Sequence, residues 1–377
     1  MCDGSASRPA FGQPYFIDPR YRDILDLGES CVRPLICSVE EPRLTGEPID
    51  SVASKLVGEH MPHPTVSVVV PTRSRPIQVV AAVRSALEQT LSPQEVVVVV
   101  DGPDDESVTR LEALGDPRVR IHVHQEPRGP GAARNTGVQL ANGVLVAFLD
   151  DDDRWLPTKL ERQVAHWERA EARNQLLVSC QSRFVAGRTT ALWPSRPPGK
   201  DERIPDYLFV RDRAGEGALP TPSLLLPRAV ASAHRMPEHL VTHEEWDWLL
   251  DLEQNGIRVE VVMEPLAVID FAPGRWSVSG AAPWRATLAW AVQRAQDLGP
   301  KAFSAFVLNE VARGATQQRC TLREQHAILA VALIGRPRLR DLARFAVRPF
   351  VFGLRRRNTR YSEARLAGPG AEPVSSE

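Results

Sequence analysis

The chain has 377 residues, 43% of them hydrophobic and 25% charged, enough for one large domain with appendages and a sizeable core. A formal net charge of -1 gives no global pull toward nucleic acid or an anionic membrane, so a charged partner has to be recognised locally. Five cysteines without the paired spacing of zinc or redox sites fit a reduced, cytoplasmic protein; residues 1–30 lack a signal-peptide pattern, and no window reaches the roughly 18 apolar residues of a membrane span.

Residues 1–64, rich in Pro, Gly and acidic side chains, read as a partly ordered extension in which "YRDILDLGES" is a short helix. The pattern changes at Thr65. "TVSVVVP" is a β-branched run stopped by proline and hence a buried strand, and the segment from Ile77 to Thr90 sets Val79, Val80, Val83, Ala86 and Leu87 on one helical face. "EVVVVVDG" is a second apolar strand, "SVTRLEAL" the helix after it, "RVRIHVH" a third strand, "GAARNTGVQLA" a helix and "GVLVAFLD" a fourth strand. Strands this continuously apolar, alternating with helices, call for a mostly parallel α/β sheet covered on both faces.

Beyond it, "LPTKLERQVAHWERA" predicts a helix from about Pro157 and "LLVSCQSRFVAG" a strand, followed by a Pro-rich loop near "WPSRPPGK" read as a mobile flap. "PSLLLPR" is a short strand; "THEEWDWLLDLEQNG" is a helix with Thr242 as N-cap and Gly256 past its end; "RVEVVM" and "LAVIDF" are two more strands. The chain is helical in pattern from Trp284 to about Ile334. Residues 336–360 then carry nine arginines against one aspartate, with Leu339, Leu342, Phe345 and Ala346 on one face, and 361–377 read as a disordered tail.

In such sheets ligands bind at the carboxyl ends of the strands. Pro71 with Thr72, Asp101, and the run Asp150 to Asp153 all fall there. Loop carboxylates two residues apart can share a divalent ion of the hard, oxygen-loving kind; a solvated acidic turn is the alternative. Asp101 can hold a ribose hydroxyl or merely end its strand, but the turn after the first strand is "PTRSRP" rather than a glycine fingerprint, which excludes a dinucleotide fold. Arg134 and Asn135, early in a glycine-opened helix, offer donors to an anion. In "HEEWDW", Glu244, Glu245 and Asp247 suit a helix N-terminus, and one of them can serve as a general base; His243 reads as a capping or packing residue.

Taken together, "VSVVVPTRSRP", "EVVVVVDG", "GPGAARNTG", "VAFLDDDDRWLPTKLERQ" and "HEEWDWLLDL" resemble the ordered motifs of family 2 glycosyltransferases with the GT-A fold, over about residues 65–275. The resemblance implies a catalytic domain over 65–280, a C-terminal helical region over 281–360, and inverting transfer of a sugar from a UDP- or dTDP-type donor. It places Pro71, Thr72, Asp101, Arg134 and Asn135 around the nucleotide. Asp150 and Asp152 fill the two acidic positions of the family's D-x-D motif. Asp152 is then the main ligand of Mn2+ or Mg2+, Asp150 its partner toward metal and donor, Asp151 a ribose contact, and Asp153 orients the loop. Glu245 stands where the family usually has the aspartate base, with Glu244 and Asp247 as fallbacks, and Arg275 falls near a segment that touches the diphosphate.

The rival readings are a nucleotidyltransferase, which would want a lysine in the first loop, and a non-catalytic nucleotide-sugar binder. The acceptor, whether glycan, lipid-linked or a small molecule, is not legible; nucleic acid is not expected. The arginine-rich segment either lies on an anionic membrane as a peripheral contact or packs on the catalytic domain with its arginines in solvent.

Overall fold

The computed structural model describes residues 63–240, 242–270 and 283–348. The extension over 1–62, Arg275 and everything from 349 onward, including the expected tail, lie outside the described residues.

Strands β1 (Val66–Thr72), β2 (Glu95–Val100), β3 (Val119–Val123) and β4 (Leu145–Phe148) alternate with helices α1 (Pro76–Leu87), α2 (Asp105–Glu112) and α3 (Pro130–Leu140). The four strands are parallel in the order β3-β2-β1-β4. Their unbroken apolar character follows from having both faces covered. Val68, Val70, Leu145 and Ala147 point into one core with Val79 and Val83 of α1, while Val69, Val146 and Phe148 point into another with Val138 of α3. Each buried valine, leucine or phenylalanine contributes roughly 1.5–3 kcal/mol, which favours apolar residues on both faces.

The second half of the sheet is mixed. It comprises β5 (Arg154–Trp155), helix α4 (Lys159–Arg169), β6 (Leu176–Ala186), β7 (Thr189–Trp193), α5 (Ile204–Phe209), β8 (Leu225–Pro227), α6 (Arg228–Ala233), α7 (Glu244–Gln254) and β9 (Arg258–Asp270). β8 runs antiparallel to β4 and to β6, β9 is parallel to β6, and β5 and β7 pair antiparallel with β9 and β6. The α/β sheet with helices on both faces is therefore parallel where the first four strands lie and mixed beyond.

Helices α8 (Trp284–Gln293), α9 (Ala295–Phe306, broken at Gly299), α10 (Ala312–Gln317) and α11 (Leu322–Ile334) follow, with a π-helical stretch over Val307–Val311. α11 starts on a capping box between Thr321 and Glu324. Leu298, Phe303, Phe306, Val311 and Ile328 from these helices share one apolar cluster with Val69, Phe148 and Trp248. The C-terminal helices thus extend the core of the sheet.

Some local expectations change. α4 begins at Lys159, two residues after Pro157. The N-cap of α7 is His243, in a left-handed conformation with φ 70°, in place of Thr242. "RVEVVM" and "LAVIDF" form one strand, whose register against β6 shifts on either side of Gln181. The loop expected as a flap is pinned: Arg196 holds Glu202 and Glu216, and Gln181 donates to the Pro194 carbonyl at 2.9 Å.

The described part of the arginine-rich segment, helical over 339–348, packs on the segment around Arg211 and Asp212 and on the preceding helices. Arg338 pairs with Asp212 at 2.9 Å, Arg344 donates to the Arg211 carbonyl at 2.6 Å and Arg348 to the Leu308 carbonyl at 2.6 Å. The expected apolar face is split: Leu342 and Phe345 pack inward, whereas Leu339 is 85% exposed. Among the described residues no helix is long and apolar enough to cross a membrane.

Candidate active site

The carboxyl ends of β1, β2 and β4 meet at a cavity of about 720 Å3. The register makes this unavoidable, because Thr72 lies opposite Val100 and Val69 opposite Phe148, so the loops that follow start side by side. Pro71, Thr72, Asp101, Arg134, Asp150, Asp151, Asp152, Asp153, Glu244 and Glu245 all line the cavity. Phe184, Thr221 and Ile269 from the mixed half close its other side.

Asp101 follows β2 and is buried. Its carboxylate accepts from the backbone N–H groups of Arg128 at 2.8 Å and Gly129 at 2.9 Å, and pairs with His124 Nδ1 at 2.9 Å. Next to it Gly102 has φ 105°, and a Cβ there would meet Pro127 at 2.9 Å, so the turn requires glycine. Asp101 therefore ties the end of β2 to the turn that opens α3 while forming part of the cavity wall.

α3 begins with Pro130 in its first turn, where the missing N–H costs nothing. It lies close on β1 because Gly137 has no side chain; a Cβ would come within 2.3 Å of Val69 Cγ1. That approach brings Arg134 to the cavity, where it is 5% exposed. Arg134 Nη2 donates to Asp150 at 2.7 Å and Nη1 to Glu244 at 3.2 Å. Burial works against its charge, but Asp150 and Glu244 outweigh burial and raise its pKa. Among the described residues its Nε is buried without a partner, which leaves one N–H for a bound acceptor.

The four aspartates alternate. Asp151 and Asp153 are buried, whereas Asp150 and Asp152 are half-buried and more open to the cavity. Asp151 accepts from Thr72 Oγ1 and from Arg75 Nη1, both at 2.8 Å, and Arg75 Nη1 also reaches Asp152. Asp153 accepts from the Asp270 N–H at 3.3 Å, which anchors the loop to the end of β9. Burial, then the nearby Asp150 charge, pushes the Asp153 carboxyl well above the usual range, while burial raises that of Asp151 against the pull of Arg75.

The expected metal fits these residues in one form only. Asp150 and Asp152 offer hard oxygens, but among the described residues no three His, Cys, Asp or Glu side chains are grouped to hold an ion by themselves. Mg2+ and Mn2+ accept such a site when phosphate oxygens and water complete the coordination. The donor set suits an ion that arrives with a diphosphate.

Glu245 lies in the first turn of α7 and is half-buried. Burial foremost, and then the Glu244 charge, pushes its carboxyl up to about 8. The two fallback acids both have partners. Glu244 is held by Arg134, and Asp247 accepts from Trp290 Nε1 at 2.9 Å on the side away from the cavity.

One expected site residue is not brought to the cavity. The amide of Asn135 donates to the Met236 carbonyl at 2.8 Å and to Glu238 at 3.0 Å and accepts from the Met236 N–H at 2.9 Å, stapling α3 to the segment after α6. Conversely, Arg75, in the loop "TRSRP" and absent from the expected site residues, sits between two of the aspartates. The signal was available, since an arginine three residues past a strand end faces whatever binds there.

A family model described as glycosyl transferase family 2 matches residues 67–219. The amylovoran biosynthesis glycosyltransferase AmsB of Erwinia amylovora is 26% identical over 208 residues, 53% of this chain and 68% of that protein. The succinoglycan biosynthesis protein ExoO of Rhizobium meliloti is 41% identical over 109 residues, 29% of this chain and 30% of that one. The Escherichia coli UDP-Glc:alpha-D-GlcNAc-diphosphoundecaprenol beta-1,3-glucosyltransferase WfgD is 32% identical over 100 residues, 26% of this chain and 40% of that one. The chain thus spans about two thirds of the first relative and well under half of the other two. Among solved structures, residues 1–349 of TarS from S. aureus share the fold with a TM-score of 0.52 at 18% identity, covering 71% of this chain and 81% of that one.

Proposed function

Because this chain is a family 2 glycosyltransferase with a GT-A fold, we propose that it moves a sugar from a UDP- or dTDP-type donor to an acceptor hydroxyl with inversion, Glu245 being the base. The observation that carries the reading is the position of Glu245. It faces, across one cavity, the strand ends that carry Thr72, Asp101 and Asp150, and its carboxyl is raised to about 8, close to the pH at which a base must both take and release a proton.

In the proposed step the acceptor O–H gives its proton to Glu245 while its oxygen attacks the anomeric carbon. The bond from that carbon to the diphosphate breaks on the opposite face, and the electron pair leaves with the nucleoside diphosphate. Asp101 and Thr72 border the nucleotide, and Arg134, with its unpartnered Nε–H, meets the diphosphate or the sugar next to it. Asp150 and Asp152 would hold Mn2+ or Mg2+, which when bound neutralises charge on the leaving diphosphate. Arg75 and Thr72 keep the loop of aspartates in place before the donor arrives.

WfgD's name specifies UDP-glucose and a lipid-linked diphosphate, which supports a UDP-sugar donor and a glycan or lipid-linked acceptor for this chain. Peripheral contact with an anionic membrane draws support from the exposed Leu339, Val347 and Arg340, and is tested by release from anionic vesicles at high salt. A cytoplasmic location draws on Cys180 and Cys320, both free thiols.

The function is tested by screening UDP- and dTDP-sugars for thermal stabilisation with Mn2+, then measuring nucleoside diphosphate release. Release from one donor that disappears in Glu245→Gln supports the reading. Undiminished release in that variant removes Glu245 as the base.

A further inference from the structure

Glu245 inherits its position from the first turn of α7. Among the described residues no other side chain donates a hydrogen bond to its carboxylate. What fixes that turn is therefore of catalytic consequence. The helix start has no side-chain cap, and the residue immediately before it, His243, adopts a left-handed conformation with φ 70°, uncommon for a residue other than glycine.

Those surroundings come from the C-terminal helices. His243 Nε2 and Thr287 Oγ1 of α8 share a hydrogen bond at 3.0 Å, and Thr287 is buried. The imidazole stacks on Trp246 with ring centres 5.0 Å apart and planes 4° from parallel, and Phe306 and Trp290 enclose the pair. One residue further on, Asp247 accepts from Trp290 and lies 3.3 Å from Arg294 Nε. Thus His243, Trp246 and Asp247 are gripped by α8 and α9, while Glu244 and Glu245 face the cavity.

We propose that His243 and Thr287 are positioning residues for the reaction: their hydrogen bond holds the left-handed start of α7 and thereby sets Glu245 against the acceptor hydroxyl. The inference rests on Glu245 being the base. It gives the C-terminal helices a part in turnover, although they do not line the cavity.

The test uses the full chain, Mn2+ and the UDP-sugar it turns over fastest, with UDP release for turnover and UDP titration for affinity. Thr287→Val keeps the shape and removes the hydroxyl; His243→Gly relieves the left-handed strain and removes the ring. Both should lower kcat by about tenfold or more, the cost of a misplaced reacting group, while UDP affinity stays within about twofold. Thr287→Ser, which retains the hydroxyl, should restore turnover. Unchanged kcat in Thr287→Val and His243→Gly overturns the proposal, and so does a parallel loss of UDP affinity, which would mark general damage. Failure of the underlying reading looks different: Glu245→Gln then keeps its turnover, whereas failure of the positioning pair alone leaves Glu245→Gln dead and Thr287→Val active.

Discussion

The parallel half of the sheet and the mixed half with its helices build opposite walls of one cavity by different means. In the parallel half each site residue follows the carboxyl end of its own strand, and the register of valines against valines puts Thr72, Asp101 and Asp150 together. In the second half Glu245 stands on a helix whose start is fixed by side chains more than forty residues further along the chain, Thr287 and Trp290. The first wall is a consequence of strand pairing, which is stiff and local. The second is a consequence of tertiary packing, which a single remote substitution can disturb. If the division is real, the two halves should fail in different observables, donor binding for the one and turnover for the other.

The largest separation is expected from Glu245→Gln. Turnover should fall by roughly 10²–10⁴-fold, the range for loss of a general base, with UDP affinity unchanged. The substitution should also stabilise the protein at pH 8. The folded-state pKa of Glu245 is raised from the ordinary 4.5 to about 8, so the native state keeps its proton where the unfolded chain has lost it, and the favourable contribution disappears as pH rises through 8. Thermal melts without donor should show the variant gaining on the wild type between pH 5 and pH 8. A variant that melts below the wild type at pH 8 would mean that the carboxylate is better solvated than its burial implies.

In the opposite wall Asp152→Asn is expected to act next most strongly, abolishing the Mn2+-dependent part of UDP binding and, with it, transfer. Asp153→Asn should be milder on activity, because Asp153 serves the loop through the Asp270 N–H. Equal effects of the two would dissolve the distinction between cavity-facing and anchoring aspartates. A smaller effect, of the opposite sign, is expected from Arg75→Gln. Its guanidinium already sits between Asp151 and Asp152, and removing that charge should tighten Mn2+ binding to the protein alone by roughly tenfold, measured by electron paramagnetic resonance titration. Weaker Mn2+ binding in this variant would show that Arg75 organises the ligands more than it competes with a cation.

The same division governed what could be read from the sequence. The parallel wall was legible because each of its parts is a contiguous word, an apolar run and the polar residue that ends it. Asn135 lies off the cavity for a geometric reason. Neighbouring residues of a helix point about 100° apart, so once Arg134 faces the cavity Asn135 turns toward Met236. Apolar runs also carry no sign of strand direction, which is why the antiparallel β8 was hidden in "PSLLLPR". Thr242 looked like the cap of α7 from its residue type, but the start of that helix is decided by Thr287 and the Trp246 stack, which no local pattern announces. The position of Glu245 was legible as a motif; the reason it stays there was not.

The smallest expected effect concerns neither wall and serves to separate stability from function. Lys159 is fully buried in α4 and lines no part of the cavity. Its ammonium donates to Gln163 Oε1 at 2.6 Å and lies 4.0 Å from the centre of the Trp155 ring, and burial brings its pKa from 10.5 down to about 8. Below pH 8 both folded and unfolded chains carry this charge, and the folded state bears the full desolvation penalty. Between pH 8 and 10.5 the native state has released the proton while the unfolded chain still holds it, so this group makes stability rise with pH. Lys159→Met keeps the length and the contact with Trp155 and has no charge to desolvate, so it should melt above the wild type at pH 7, with the gap closing as pH approaches 10. Turnover and UDP affinity should not change. A gap that stays constant with pH would assign the difference to packing, and a loss of UDP affinity would mean that α4 carries strain into the loop of aspartates that precedes it.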